Sequence, residues 1–242
     1  MILVILFLSQ NSLAEVQCEM KLQFAESSDI YPFKLASLPY PNEFLDPVLS
    51  SQLLYLHHDF HHQSYVDKLN TYVKSVDKYQ DNTLVELVDL SRDDTSLQKY
   101  AGGHYNHLLY WWSITNSKCA AKEPTEELLD LINATWGNLT VFKNEFQNTS
   151  LNLIGSGWVW LCVNAEGELE IRSTENEINP LMEVSGDLCV PILGNNIWEH
   201  AYYLKYMWDR KSYIDEFWGL IDWELVSYFY DVYASSTKSI PL

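Results

Sequence analysis

The spacing of apolar residues along this chain changes once, near residue 157, and that change limits the folds open to it. Before it, Val48–Ser75 and a segment from about Ser96 to Thr115 carry apolar residues three and four apart, the period of a helix. After it, Trp158–Val163 and Leu169–Arg172 are short apolar or alternating runs separated by a turn that contains Gly167. The pattern predicts two long helices followed by a β-hairpin.

Further segments complete the prediction. Beyond Pro124 we expect two more helices and then a third strand, at Glu126–Thr135, Thr140–Asn148 and Leu188–Leu193. Later helices are expected at about Trp198–Trp208 and near Ser212 and Asp222. The predicted fold class is α+β, an N-terminal α-hairpin domain followed by a C-terminal domain with a small antiparallel three-stranded sheet flanked by helices. The expected divisions are a signal peptide at 1–14, an N-terminal extension at 15–37, the α-hairpin domain at 38–118 and the C-terminal domain at 119–242.

Composition excludes some classes of partner. The 242 residues are 47% hydrophobic and 20% charged, which is typical of a globular chain and not of a disordered one. The formal net charge of −18 opposes nonspecific binding to nucleic acid and to anionic membranes. It would also repel an anionic substrate at long range, so such a substrate would need a local cationic guide.

The first residues indicate export. Met1–Leu8 is an unbroken apolar run, and the small-residue triplet Ser12-Leu13-Ala14 follows it, as in a signal peptide cleaved after Ala14. The run is too short for a membrane-spanning helix. Because no Lys or Arg precedes Lys21, an anchor or an untypical mitochondrial presequence is the alternative. Three glycosylation sequons, which agree with a secreted glycoprotein, begin at Asn133, Asn138 and Asn148.

Four cysteines are widely spaced and include no CxxC motif, so they do not suggest a zinc site; they are Cys18, Cys119, Cys162 and Cys189. In an oxidising compartment three full pairings are possible. Cys162 lies in an apolar strand-like run, where a buried free thiol and a disulfide are both reasonable.

Histidines cluster in three segments. His57-His58-Asp59-Phe60-His61-His62 places His57, His61 and Tyr65 on one helix face, although a solvated histidine-rich face would look the same. The other clusters are Gly102-Gly103-His104-Tyr105-Asn106-His107 and Trp198-Glu199-His200. Each of these alone is more simply explained as core histidine. Paired glycines inside a helix are costly, so they indicate close packing there.

Together these segments resemble one family. Its signatures appear in order as Leu38-Pro39-Tyr40, Leu56-His57-His58 with His61-His62 and Tyr65-Val66, Gly103-His104-Tyr105-Asn106-His107, Gly155-Ser156-Gly157-Trp158-Val159-Trp160-Leu161 and Trp198-Glu199-His200-Ala201-Tyr202-Tyr203. On these motifs the chain resembles the iron/manganese superoxide dismutases from about Leu38 to Tyr230. The resemblance implies one redox metal, manganese or iron, that converts superoxide to dioxygen and hydrogen peroxide.

The resemblance also implies roles for single residues. Three histidines match the family's metal ligands: His57, His107 and His200. Three tryptophans match the aromatic wall of the site: Trp111, Trp158 and Trp198. His61 and Tyr65 match the gateway pair, and Arg210 matches the cationic guide of the substrate funnel. Glu199 and Tyr203 match residues that reach across the family's homodimer interface.

Two positions depart from the family pattern. Where the family has its ligand aspartate, this chain has Asn196, a neutral and weaker donor. Where manganese-type members have a glutamine beside the metal-bound solvent, this chain has Glu177, and Gly103 occupies the position from which iron-type members supply that glutamine. The layout is therefore of the manganese type, and manganese is slightly preferred. The acid and the amide look exchanged, which would preserve one carboxylate near the metal; the alternative is drift after loss of activity.

Three functions follow from these features. The first is an exported superoxide dismutase with altered metal tuning. The second is a catalytically impaired or inactive homologue that serves as a structural subunit of a larger assembly, which Asn196 and the −18 charge favour. The third is a metal-binding protein with other redox chemistry.

Overall fold

The computed structural model describes residues 30–182 and 188–242. The expected signal peptide, most of the N-terminal extension and Cys18 lie outside the described residues. The N-terminal part of the described chain is helical, and the C-terminal part combines three strands with helices. The predicted α+β class is therefore confirmed.

The first long helix contains a wide turn in its middle. Helix α1 (Ser51–Leu56) leads into a π-helical segment (His57–His62), which continues as helix α2 (Gln63–Lys74). Ser50 caps the start, because its hydroxyl accepts a 3.3 Å hydrogen bond from the Leu53 N–H. Sequence spacing predicted one helix over Val48–Ser75; the structure has that helix, but its central turn is π-helical. Inserted π turns are frequent at functional sites.

The second long helix, α4 (Thr95–Ser113), packs against α2 to form the expected helical hairpin. Asp94 caps it by accepting hydrogen bonds from the N–H groups of Ser96 and Leu97 at 3.1 and 3.0 Å. A short helix α3 (Leu84–Asp89), which the sequence analysis missed, lies in the connection and begins with a capping box between Thr83 and Glu86.

The glycine pair of α4 allows two close approaches. A Cβ on Gly102 would lie 2.3 Å from the backbone oxygen of Glu177, and one on Gly103 would lie 2.4 Å from the Tyr65 ring. The packing role expected of this pair is therefore confirmed.

The second body contains the predicted antiparallel sheet. Helices α5 (Glu126–Trp136) and α6 (Leu139–Asn152) precede strands β1 (Gly157–Asn164), β2 (Leu169–Glu175) and β3 (Cys189–Asn196). The strand order is β2-β1-β3, and Trp158 of β1 pairs with Thr174 of β2 on one side and Asn196 of β3 on the other. Both β1 and β3 are buried throughout, so they form the centre of the core.

The segment after β3 departs from prediction. Instead of one helix over Trp198–Trp208, the chain forms a 3-10 turn (Glu199–Ala201) and a four-residue helix α7 (Tyr203–Tyr206). The helix ends because Met207 adopts a positive φ of 52°. Helices α8 (Arg210–Phe217) and α9 (Trp223–Val232) then occupy the positions expected near Ser212 and Asp222.

A disulfide joins two neighbouring strands. Cys162 of β1 and Cys189 of β3 are bonded, with their Cα atoms 5.5 Å apart. Of the two alternatives for Cys162, the structure has the disulfide and not the free thiol. Cys119 is also disulfide-bonded. Within the described residues, no helix is both long enough and apolar enough to cross a membrane.

Candidate metal centre

Three histidines from separate elements meet in the interior. His57 begins the π-helical segment, His107 lies in α4, and His200 lies in the 3-10 turn after β3. Each contributes a ring nitrogen to a group whose atoms all lie within 4.8 Å of one another. His57 and His107 are fully buried. The hairpin and the sheet body must therefore pack together before the site exists.

The protonation of these rings suits metal binding. Nδ1 of His107 donates a 2.6 Å hydrogen bond to the Gly103 carbonyl, which leaves the Nε2 lone pair without a partner. Burial lowers the pKa of His107 to about 3. Burial, and then neighbouring imidazoles, lower the pKa values of His57 and His200 well below their usual value. All three rings are neutral at pH 7, as a metal ligand must be.

Asn196, the last residue of β3, lies beside these histidines. Its Nδ2 is 3.1 Å from His57 Nε2 and 3.2 Å from His200 Nε2. Its Oδ1 accepts a 2.9 Å hydrogen bond from the backbone N–H of Trp198. That N–H can only donate, so it fixes the amide with its oxygen turned away and its NH₂ group toward the two imidazoles. Asn196 therefore adds no negative charge and no oxygen to the centre in this orientation.

The residues fit a metal ion through the three imidazoles. The unpartnered Nε2 of buried His107 is a polar atom that a bound cation would satisfy. Imidazole is a good ligand for manganese and iron when an anionic oxygen accompanies it. The position of Asn196 does not supply that anion.

Each ligand histidine packs against a different tryptophan. Ring centroids are 4.7 Å apart for His57 and Trp111, 5.2 Å for His107 and Trp158, and 5.5 Å for His200 and Trp198. Trp111 and Trp158 are buried, whereas Trp198 is partly exposed. These rings exclude water from three sides of the centre and restrict the imidazole orientations.

The predicted gateway residues lie at the rim. His61 is exposed and stacks on His200 with ring centroids 4.4 Å apart. Tyr65 is half-buried and lies 5.4 Å from the His107 ring. Its phenol donates a 2.6 Å hydrogen bond to Oε1 of Glu177. The two side chains thus join the ligand histidines to the molecular surface.

Glu177 is a fully buried carboxylate held by neutral donors. Besides Tyr65, the Trp158 Nε1–H and the Asn106 amide donate to Oε2 at 2.9 and 3.3 Å. Burial raises the pKa of Glu177 to about 7, although these hydrogen bonds act in the opposite direction. The group therefore lies between its acid and carboxylate forms near neutral pH.

Sequence analysis missed two sets of buried hydrogen bonds around the metal centre. Asn106 also donates to the Glu177 backbone oxygen at 3.0 Å, and Asn179 donates to Asn106 Oδ1 at 2.8 Å, so a buried amide pair positions the carboxylate. His62 and His104 form a buried hydrogen-bonded pair, with ring nitrogens 2.8 Å apart. Polar residues inside the glycine-rich histidine segment were the available signal, because a buried polar group requires a partner.

The chain matches known proteins in both of its parts. Residues 32–115 match the model of the iron/manganese superoxide dismutase alpha-hairpin domain, and residues 124–228 match that of the C-terminal domain. The chain belongs to the iron/manganese superoxide dismutase family. It is 37% identical over 205 residues to a manganese superoxide dismutase of Acinetobacter baylyi, covering 84% of this chain and 90% of the relative. It is 39% identical over 202 residues to a manganese/iron superoxide dismutase of Staphylococcus aureus strain Mu50, covering 82% and 97% respectively.

Other residues matched to the superoxide dismutase family lie farther out. Arg210 donates to Tyr202 Oη at 3.1 Å and to the Leu153 and Gly155 carbonyls at 2.7 and 3.4 Å, so its guanidinium braces a loop and does not contact the histidines. Glu199 is exposed, and Tyr203 is 47% exposed. In the single chain these two residues contribute no contact to the centre.

Proposed function

We propose that the protein is a superoxide dismutase that uses one manganese or iron ion per chain, with manganese slightly preferred. The observation that carries this proposal is the convergence of three neutral histidine side chains, two buried and one partly exposed, whose ring nitrogens lie within 4.8 Å of one another. The overall reaction converts two superoxide ions and two protons into dioxygen and hydrogen peroxide.

Three groups of residues would have separate roles in this reaction. His57, His107 and His200 would hold the ion, which supplies the one-electron redox chemistry when bound. Trp111, Trp158 and Trp198 keep bulk water from the centre. His61 and Tyr65 would line the approach and would pass protons from the surface toward the centre; their contacts with His200 and Glu177 support this role.

Charge affects how substrate arrives. The net charge of −18 repels superoxide at long range, so approach depends on local cations. Arg210, which the family resemblance assigns to this role, is partly buried against Tyr202. An Arg210→Gln protein should therefore lose turnover at low substrate more than it loses metal content.

The proposal is tested on purified protein expressed with added manganese or iron. We expect about one metal ion per chain by mass spectrometry and superoxide-dependent turnover by stopped-flow absorbance. His107→Ala should lose both, since His107 carries the unpartnered ring nitrogen. Metal without turnover would indicate an inert metal binder or other redox chemistry. Absence of metal after supplementation would refute the proposal.

A second candidate is a non-catalytic subunit of a larger assembly. It is favoured by Asn196, because a neutral amide that turns its NH₂ group toward His57 Nε2 and His200 Nε2 supplies no anionic ligand. Apolar side chains on and after α7 are also exposed to solvent: Leu204 at 44%, Met207 at 54% and Trp208 at 86%. A metal-free protein that copurifies stoichiometrically with other chains would support this candidate.

We also propose a homodimer through Glu199 and Tyr203, as the family resemblance implies. Tyr203→Arg should shift the protein toward monomer in sedimentation velocity. Tyr228→Arg is the matched control, because Tyr228 on α9 is 40% exposed and lies in a separate helix. Equal sedimentation of the two variants would argue against this interface.

We propose secretion as the destination, with mitochondrial import through an untypical presequence as the alternative. The Cys162–Cys189 disulfide is compatible with an oxidising compartment. The sequon asparagines Asn138 and Asn148 are exposed. N-terminal sequencing of the mature protein and a mobility shift on glycosidase treatment test export, and an unprocessed, unshifted chain would contradict it.

A further inference from the structure

Glu177 is a buried carboxyl group held by neutral hydrogen-bond donors, and the nearby cation Lys99 favours its ionised form more weakly than those donors do. It is 1% exposed, and among the described residues only Asp222 is another buried acid. Asp222 caps α9 through the Leu225 N–H. The donors that reach the Glu177 carboxylate, from Tyr65, Trp158 and Asn106, are all neutral. A buried carboxylate is costly unless a positive group balances it.

The neighbouring metal centre, in contrast, lacks a negative charge among its ligands. Imidazole binds a metal as a neutral ligand, and Asn196 is a neutral amide whose oxygen accepts the hydrogen bond of the Trp198 N–H. A divalent cation held there would therefore have no anionic partner among its ligands. Such a cation is the largest local charge in a site and determines which groups beside it stay ionised.

Glu177 is linked to the centre by direct packing. Tyr65 and Trp158, which both donate to its carboxylate, lie 5.4 and 5.2 Å from the His107 ring. Asn106, the third donor, is the residue before His107. Gly102 has no side chain, so the Glu177 backbone packs directly against the same helix. A Cβ on Gly102 would lie 2.3 Å from the Glu177 backbone oxygen. The carboxylate is thus fixed in the layer that surrounds His107.

We propose that Glu177 is the charge-balancing positioning residue of the metal centre. Its carboxylate, held by Tyr65, Trp158 and Asn106 around His107, stabilises a divalent cation that Asn196 leaves without an anionic ligand. This inference rests on the metal centre of the proposed function. It assigns the two departures from the family pattern to one electrostatic arrangement.

The test is manganese binding by the metal-free protein and by variants that move the charge. Four proteins are compared with the parent: Glu177→Gln, Asn196→Asp, the double variant of these, and Glu170→Gln. The last is the matched acid-to-amide control, because Glu170 lies in β2 and pairs with Arg172. Mn²⁺ affinity is measured by titration, and the melting temperature is measured with and without Mn²⁺.

We expect Glu177→Gln to bind Mn²⁺ about 10- to 100-fold more weakly than the parent, the usual range for residues that support metal ligands. The double variant should recover the parent's affinity, and Asn196→Asp alone should exceed it. Metal-free Glu177→Gln should melt no lower than the parent, because the substitution replaces a buried ionisable group by a neutral amide of the same shape. Glu170→Gln should leave Mn²⁺ binding unchanged.

The outcomes separate this inference from the proposed function. Equal Mn²⁺ affinity of the parent and Glu177→Gln overturns the inference, and superoxide turnover by the parent would still uphold the function. Weakened binding in Glu177→Gln without turnover by the parent upholds the inference and refutes the function. A Glu177→Gln protein that fails to fold contradicts the expected melting temperature and overturns the inference, as does an Asn196→Asp protein that binds Mn²⁺ no more tightly than the parent. A parent that binds no Mn²⁺ overturns the inference, and it refutes the proposed function only if the protein also binds no iron.

Discussion

The Tyr65 phenol donates a 2.6 Å hydrogen bond to Glu177 Oε1, which joins the rim of the metal centre to its buried carboxylate. A hydrogen bond from a hydroxyl to a carboxylate at this distance is short and strong. The phenol is the donor in this contact, because an ionised Glu177 can only accept a hydrogen bond.

Tyr65→Phe should therefore destabilise the protein more than loss of an exposed tyrosine hydroxyl. It removes one of the donors that hold a buried carboxylate, which costs about 1–3 kcal/mol of unfolding free energy. Urea denaturation measures the loss. Tyr72→Phe is the control, because its hydroxyl donates to the half-exposed Asp94 at 2.6 Å. Equal losses in both variants would contradict a special role for the Tyr65 contact.

Gly103→Ala should disturb the same layer through packing. A Cβ at this position would lie 2.4 Å from the Tyr65 ring, which the surrounding core prevents from moving freely. We expect a loss of about 1–3 kcal/mol in unfolding free energy. Gly219→Ala is the matched control, since nothing lies within 4 Å of its added Cβ. A Gly103→Ala protein as stable as Gly219→Ala would show that the Tyr65 ring can yield.

The buried His62–His104 pair should make stability fall in acid. Trp111 Nε1–H donates to His62 Nδ1 at 3.2 Å, so His62 carries its proton on Nε2 and donates it to His104 Nδ1. Burial lowers the pKa of His104 from 6.5 to about 3. Between these values the unfolded chain binds a proton that the folded chain does not, so the stability is complete above pH 6.5 and decreases as the pH falls toward 3.

Urea denaturation of the metal-free protein at several pH values measures this slope. His104→Gln should reduce the slope by about 1.4 kcal/mol per pH unit between pH 6 and pH 4, because one proton is no longer linked to unfolding. Parallel curves for the parent and the variant would mean that His104 is protonated in the folded state.

Breaking the Cys162–Cys189 disulfide should lower stability by about 3 kcal/mol, because the bond closes a loop of 27 residues in the unfolded chain. The Cys162→Ala/Cys189→Ala protein is compared with the parent by urea denaturation with and without reductant. Reductant should shift the parent more than the variant, because the variant keeps only the disulfide of Cys119. No difference between the two proteins without reductant would show that the cross-link adds nothing to the paired strands.

Much of the architecture could be predicted from local patterns. Helical spacing in α2 and α4, an unbroken apolar run in β1 and alternation at the start of β2 reflect which side chains are buried, so these elements could be predicted directly. The ligand histidines were found through motif resemblance, because no local pattern indicates that distant segments converge. The short α3 was missed since its six residues span too little sequence for a periodic signal.

Other features depend on contacts that sequence does not display. The break at Met207 replaces a predicted helix because a single positive φ ends α7, and methionine gives no warning of that conformation. The orientation of Asn196 depends on the Trp198 N–H, which becomes a neighbour only after β3 turns. Asn106 was overlooked because its role is to hold Glu177, 71 residues later in the chain.

The π-helical segment makes the centre sensitive to chain length as well as to residue type. In it, the Gln63 N–H reaches the His58 carbonyl five residues earlier, so the turn holds one more residue than an α-helix would. Winding the same residues as an ordinary α-helix would rotate His57 by about 100° relative to Tyr65, and deleting one residue would bring the two side chains back into register. The chain could thus keep every ligand and still lose the arrangement if this turn wound as an α-helix, so the number of residues between His57 and Tyr65 is matched to a π turn.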